Sequence, residues 1–239
     1  MKKIFITIIT IIVLIPLASA RALATDYRND SGEVVKGLKA NFIDISGYQH
    51  LSQDDFYSLK KQGIEGAVIK LSEWKDPQYD NPLAQDQIKF AKKAGMKVSV
   101  YHYVTSKDKK QEKQEAAHFI DLLKKYKLPK STVVVADMES PHIYWENVTS
   151  VAKQFRTSLK AAGYKNVMYY SIYAWYQPGG LLDAKTFGKK NCWVASHVNT
   201  VLTKQHTDFA AWQWTSTAQF EGIGGAIDAN IDYTGRFTK

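Results

Sequence analysis

Residues 132–140 read Thr-Val-Val-Val-Ala-Asp-Met-Glu-Ser. Four apolar residues, three of them β-branched, run into two carboxylates. A strand apolar on both faces belongs in a parallel sheet covered by helices. Successive side chains on a strand alternate, so Asp137 and Glu139 share one face and Met138 takes the other. The stretch predicts a buried strand, Thr132–Glu139, that delivers two acids to one side of its C-terminal end.

The same pattern repeats on both sides of it. Upstream, strands are expected at Phe42–Ile45, Gly66–Leu71 and Lys97–Tyr103. Between them lie amphipathic helices, the first N-capped by Ser52 and ending near Gly63, the second over Leu83–Ala94 and stopped by Gly95. A third helix is expected over Lys110–Tyr126 and a fourth over Val148–Ala162. Downstream come strands at Asn166–Ser171, Asn191–Ala195, Phe209–Trp214 and Ala226–Asn230, with little helical sequence between the last three. Eight strands with helices only in the first part predict an α/β fold, a modified (β/α) barrel. An open doubly wound sheet is the alternative. No G-x-G-x-x-G follows the first strand and no P-loop is present, which removes support from its nucleotide-binding versions.

Composition bounds the partners. The chain has 239 residues, 45% hydrophobic and 23% charged, which excludes disorder and collagen-like repetition. Its length suits a single barrel. The net charge of +9 suggests a polyanionic partner: nucleic acid, an anionic membrane or an anionic cell envelope. Residues 1–20, MKKIFITIITIIVLIPLASA, have a basic start, an apolar run and a small-residue end. This is the pattern of a secretory signal peptide, with an uncleaved membrane anchor as the alternative. Loss of Lys2 and Lys3 with that leader lowers the charge by two, and export disfavours nucleic acid as partner. Residues 21–40 are polar and aperiodic and read as a flexible lead-in. The single cysteine, Cys192, excludes an intramolecular disulfide and reads as a buried structural thiol.

Carboxylates recur at strand ends. Asp44 ends the first strand and Asp228 sits on the last, with Asp137 and Glu139 between them in sequence. In a (β/α) barrel the C-terminal strand ends surround one site. Crowded acids raise one another's pKa, and glycosidases use such sets, one carboxyl as acid and another to stabilise charge on the sugar. The competing reading is that strand-end acids cap helices or pair with Lys and Arg. Tyr48, Tyr101, Tyr103, Tyr170, Trp193, Trp212 and Trp214 also fall at or near strand ends, where rings stack on sugars or simply fill the core, Trp212 especially. Tyr101 and Tyr103 share a face and His102 opposes them. The six histidines show no metal-binding spacing, and no G-x-S-x-G is present.

These residues carry a resemblance. FIDISGYQ (42–49), IKLSE (69–73), VYHYV (100–104), VVVADMES (133–140), WVASH (193–197), AWQWTS (211–216) and GIGGAIDAN (222–230) resemble, in order, the blocks of glycoside hydrolase family 25. The resemblance implies a catalytic domain over residues 41–239 that acts as a monomer without cofactor or metal. It implies cleavage of the β-1,4 bond between N-acetylmuramic acid and N-acetylglucosamine in peptidoglycan, with anionic wall polymers as further partners. Glu139 would be the general acid. Asp137 would orient the substrate N-acetyl group or act as the second catalytic carboxylate, and Asp44 and Asp228 would complete the acidic cleft. Tyr101, Tyr103, Trp193, His197, Gln213 and Trp214 would line it. The family pattern of an Asp followed two residues later by Asn favours Asp228 over Asp232. Asp137 and Glu139 on one strand favour substrate assistance over inversion. The other readings are a chitinase-like glycosidase of N-acetylated sugars and a non-catalytic wall-binding barrel.

Overall fold

The computed structural model describes residues 24–75, 78–143, 148–197 and 203–239. The leader read over residues 1–20 lies outside them. In chain order the elements are β1 (Asp26–Arg28), β2 (Val34–Lys36), β3 (Phe42–Ile45), α1 (Gln53–Lys61), β4 (Gly66–Glu73), β5 (Tyr79–Asp80), α2 (Ala84–Lys93), β6 (Lys97–Tyr103), α3 (Lys109–Lys125), β7 (Val134–Asp137), α4 (Val148–Ala161), β8 (Val167–Ile172), α5 (Tyr173–Tyr176), α6 (Ala184–Phe187), β9 (Cys192–Ala195), β10 (Ala211–Gln219) and β11 (Ile227–Asp232).

Eight of these strands close into a barrel in the order β3-β4-β6-β7-β8-β9-β10-β11, with β11 returning to β3. The first seven run parallel, each to the next. β11 is antiparallel to both its neighbours. A full helix follows β3, β4, β6 and β7, and only short helical turns follow β8. The modified barrel expected from the strand pattern is the fold observed.

Side-chain alternation sorts the core into two layers. Phe42, Val68, Val135, Met168, Trp193 and Ala211 fill the barrel interior. Ile43, Ile69, Val100, Val134, Ala136 and Val194 face outward, where Phe56, Ile88, Phe119 and Phe155 of the helices cover them. Burial on both faces is why these strands read as unbroken apolar runs. Helix starts are fixed locally. The Ser52 hydroxyl accepts from Asp55 N (3.2 Å) while the Asp55 carboxylate accepts from Ser52 N (2.7 Å), a reciprocal capping box. Asp108 accepts from Lys110 N and Gln111 N, both at 2.8 Å.

The N-terminal end of the barrel is sealed by the chain's last residues. Asp232 accepts hydrogen bonds from the backbone of Thr234, Gly235 and Phe237 at 2.9, 2.9 and 2.7 Å. The turn so formed inserts the buried Phe237 ring against Phe42 (centroids 4.6 Å) and Trp193 (5.3 Å). Only glycine fits opposite it: a Cβ on Gly66 would lie 1.9 Å from the Phe237 carbonyl oxygen. Asp232 therefore belongs to this seal, at the end of β11 away from Asp228.

One stretch departs from expectation. Residues 21–40 were expected to form a flexible lead-in, yet β1 and β2 form a hairpin that extends the sheet along β10. Tyr27 is buried there, edge-on to Trp214 at 5.3 Å. Three-residue strands are too short to show a period, and the apolar partner of Tyr27 lies at the far end of the sequence.

Candidate active site

Seven parallel strands bring their C-terminal ends to one rim. β11 runs the other way, so its beginning meets that rim. Its register places Asp228 beside Asp44. Asp137, at the end of β7, is flanked by Tyr103 of β6 and Tyr170 of β8. Glu139 lies two residues beyond Asp137, past the end of the strand. Met138 between them is buried in the outer layer, so the alternation expected of the sequence persists. Asp44, Asp137, Glu139 and Asp228 line one cavity of about 70 Å³ together with Tyr101, Val135, Tyr170 and Trp193.

A hydrogen-bond network fixes half of this cluster. The Gln213 carbonyl accepts from the Tyr170 hydroxyl (2.9 Å) and pairs with His197 Nε2 (2.8 Å), which must therefore carry the proton. Its amide then faces the acids, donating to Asp44 Oδ2 (3.1 Å) and Asp228 Oδ2 (3.5 Å). Asn230 donates to Asp44 Oδ2 at 2.8 Å and accepts from Trp193 Nε1 at 3.0 Å. Asp137 differs. It is buried, and among the described residues its Oδ1 has no hydrogen-bond partner.

All four acids hold protons more tightly than usual. Burial is the main cause at each. For Asp44 it outweighs the opposing hydrogen bonds from Asn230 and Gln213. Asp137 is pushed well up by burial and then by Glu139, against the pull of Lys70. Glu139 is raised by burial and by Asp44, again opposed by Lys70. Asp228 is raised to about 9, by burial and then by Asp44. Glu139 and Asp228 are half-buried, whereas Asp44 and Asp137 are enclosed. Of these two, Asp228 is tied to Gln213, which leaves Glu139 to meet a bond arriving from solvent.

These shifts carry a stability cost with a definite sign. An unfolded carboxyl releases its proton near pH 4. The folded cluster keeps its protons to higher pH, so from about pH 4 to pH 9 the folded state binds more protons. Unfolding free energy therefore falls as pH rises through that window. Asp228→Asn removes one such group. Its melting temperature, followed by circular dichroism, should decline less between pH 5 and pH 9 than that of the wild type, by about 2–6 °C. An equally steep decline would show that ionisation of Asp228 does not strain the fold.

Other expected residues fall into place unevenly. Tyr103 is half-buried beside the cavity, its hydroxyl raised to about 12 by burial and then by Asp137 and Glu139. His197 is exposed and meets the cluster through Gln213. Tyr48 is 88% exposed on the loop after β3 and does not line the cavity. Trp214 does not line it either. Gln213 faces the interior, so its neighbour Trp214 faces out, fully buried against Tyr27. Its ring also fills the space where a Cβ on Gly37 would sit, 2.5 Å away. Trp212 packs in the outer layer, as core packing requires, and His102 binds Ser72 and Glu115 there. Burial raises the Cys192 thiol to about 12, which leaves it inert.

Lys70 and Asn230 escaped the sequence reading. The Lys70 ammonium pairs with Glu73 at 2.8 Å and lies over the Tyr103 ring, 4.9 Å from its centroid. It is the cation that opposes the upward shifts of Asp137 and Glu139. Period two from Val68, which faces inward, would have placed it at the rim.

Residues 43–223 match the model of glycosyl hydrolases family 25. The chain belongs to this family. No curated protein sequence matches it significantly. Among solved structures, the modular autolysin LytC from Streptococcus pneumoniae is similar over 87% of this chain, with TM-score 0.67 and 22% identity. The chain spans 52% of LytC, about half its length. The bacterial lysozyme from Streptomyces coelicolor matches 82% of this chain and 96% of its own, with TM-score 0.61 and 19% identity. A family 25 glycosyl hydrolase from Bacillus anthracis matches 80% of this chain and 88% of its own, with TM-score 0.63 and 21% identity. At these identities the likeness shows the shared barrel. The matched family 25 segment ends before Asp228 and begins after the β1–β2 hairpin. Barrel closure, through the β11–β3 pairing, is what brings Asp228 to the cavity.

Proposed function

We propose that this protein is an exported peptidoglycan hydrolase that cleaves the β-1,4 bond between N-acetylmuramic acid and N-acetylglucosamine. The observation that carries the reading is the convergence of Asp44, Asp137, Glu139 and Asp228 on one aromatic-walled cavity at the barrel's C-terminal rim. LytC, which shares the barrel, has been solved in complex with a synthetic peptidoglycan ligand.

In this reading Glu139, protonated because it is buried among acids, gives its proton to the glycosidic oxygen as the bond breaks. The unpartnered Oδ1 of Asp137 accepts the N–H of the muramic acid acetamido group. That group's carbonyl oxygen, so oriented, attacks the anomeric carbon and forms an oxazolinium ion. Water then opens the ion, and the Glu139 carboxylate takes the water's proton. Asp44, which accepts from Gln213, Asn230 and the protonated Asp228, is the far-wall acid that faces positive charge as it develops on the sugar. The chain acts as a monomer without cofactor. Residues 1–20 export it, and its positive charge favours approach to anionic wall polymers, an attraction that weakens with salt.

Mass spectrometry of digested, borohydride-reduced peptidoglycan tests this directly. The expected fragments carry reduced N-acetylmuramic acid at the new end. Reduced N-acetylglucosamine there, or cleavage of chitin in preference to peptidoglycan, would overturn the assignment.

A further inference from the structure

The β1–β2 hairpin, outside the segment that matches the family, builds a second cavity. It has a volume of about 350 Å³ and lies where the hairpin meets β10, walled by Tyr27, Arg28, Asn29 and Asp30 of the hairpin, by Thr215, Ser216 and Thr217 of β10, and by His197. It is one side chain away from the acids: His197 borders it and binds Gln213, which binds Asp44.

The wall has a definite chemistry. The Thr215 and Thr217 hydroxyls bond each other (2.9 Å), and Thr217 donates to the Arg28 carbonyl at 2.7 Å, which pins the hairpin to β10. The Asn29 side chain is held by Glu33. Arg28 remains available. Its side chain is exposed and spends one N–H on the Gly32 carbonyl at 2.9 Å. Among the described residues no carboxylate pairs with it. A guanidinium carries five N–H donors in a plane, an arrangement that suits a carboxylate.

We infer that this cavity is a subsite for the peptide stem of the substrate, with Arg28 pairing with a stem carboxylate. The inference rests on the peptidoglycan reading above. Muramic acid bears its peptide on a lactyl branch that leaves the glycan to one side of the chain. A groove beside the acidic cavity, lined with hydroxyls, the unpaired Arg28 guanidinium and the Asp30 carboxylate, complements a polar branch that carries carboxylates and an amine.

The test compares glycan strands that keep their stem peptides with the same strands stripped by an amidase. For the wild type kcat/KM should be higher on the peptide-bearing strands. Arg28→Ala should lower the ratio of the two kcat/KM values about fivefold, the scale of one exposed ion pair, with the change in KM. Ser216→Glu, which sets a like charge in the cavity, should lower the same ratio. Equal losses on both substrates would assign Arg28 to the glycan or to another wall polymer and overturn the stem subsite, as would an unchanged ratio in both variants. Failure of the wild type to cleave either substrate would overturn the peptidoglycan reading itself, and the subsite with it.

Discussion

Glu139→Gln should lower glycan cleavage by about a thousandfold or more while leaving the barrel folded. The amide is isosteric with the acid and keeps the hydrogen-bonding size of the side chain, but it has no proton to give the leaving oxygen. A loss of that size corresponds to about 4 kcal/mol of transition-state stabilisation. It should appear in kcat with KM little changed, because the lost interaction exists only as the bond breaks. The melting temperature should hold or rise, since burial and Asp44 already disfavour the ionised Glu139. Release of reducing ends from purified peptidoglycan is the measurement, with circular dichroism as the control for folding. Turnover within tenfold of the wild type would remove Glu139 from the role of acid.

The second large effect concerns the seal at the opposite end. Phe237 is fully buried, stacked on Phe42 and in contact with Trp193. Phe237→Ala leaves a ring-sized void between residues that cannot follow it, because their strands are fixed in the barrel. Truncations of this kind cost about 3–5 kcal/mol, which for a domain of this size lowers the melting temperature by roughly 6–20 °C. Trp193 also lines the acidic cavity, so a loosened floor should reach the site as a rise in KM. Thermal unfolding and steady-state kinetics report the two effects separately. A shift under about 2 °C would mean that the ring is not part of the core.

The sequence made some of this legible for reasons that can be named. Asp137 and Glu139 were readable because period-two alternation is strict on a buried strand, and the structure keeps it even though regular pairing stops at Asp137. Asp44 was readable from its place at the end of an apolar run. Asp228 was harder. The strand-end reading put it with the other acids and the resemblance favoured it over Asp232, but nothing local shows that β11 runs antiparallel and meets the rim with its beginning. Trp214 was misplaced because a sequence block does not say which of two neighbouring side chains turns inward; Gln213 does, and Trp214 cannot. The hairpin was invisible because its strands owe their existence to β10. Lys70 is legible by the same alternation, two residues on from the inward-facing Val68 of β4.

The pairing of Asp228 with Asp44 joins the first barrel strand to the last, across most of the chain. Loop-closure entropy makes such contacts slow to form. The four-acid cluster is complete only when β7 and the β3–β11 closure are both in place, so its mutual repulsion is met late. A chain passing through a membrane as an unfolded thread would thus remain inert throughout transit, and would acquire its activity in one step when the barrel shuts. On the export route proposed above, assembly order itself would keep a wall-cutting site from existing before the protein reached the wall.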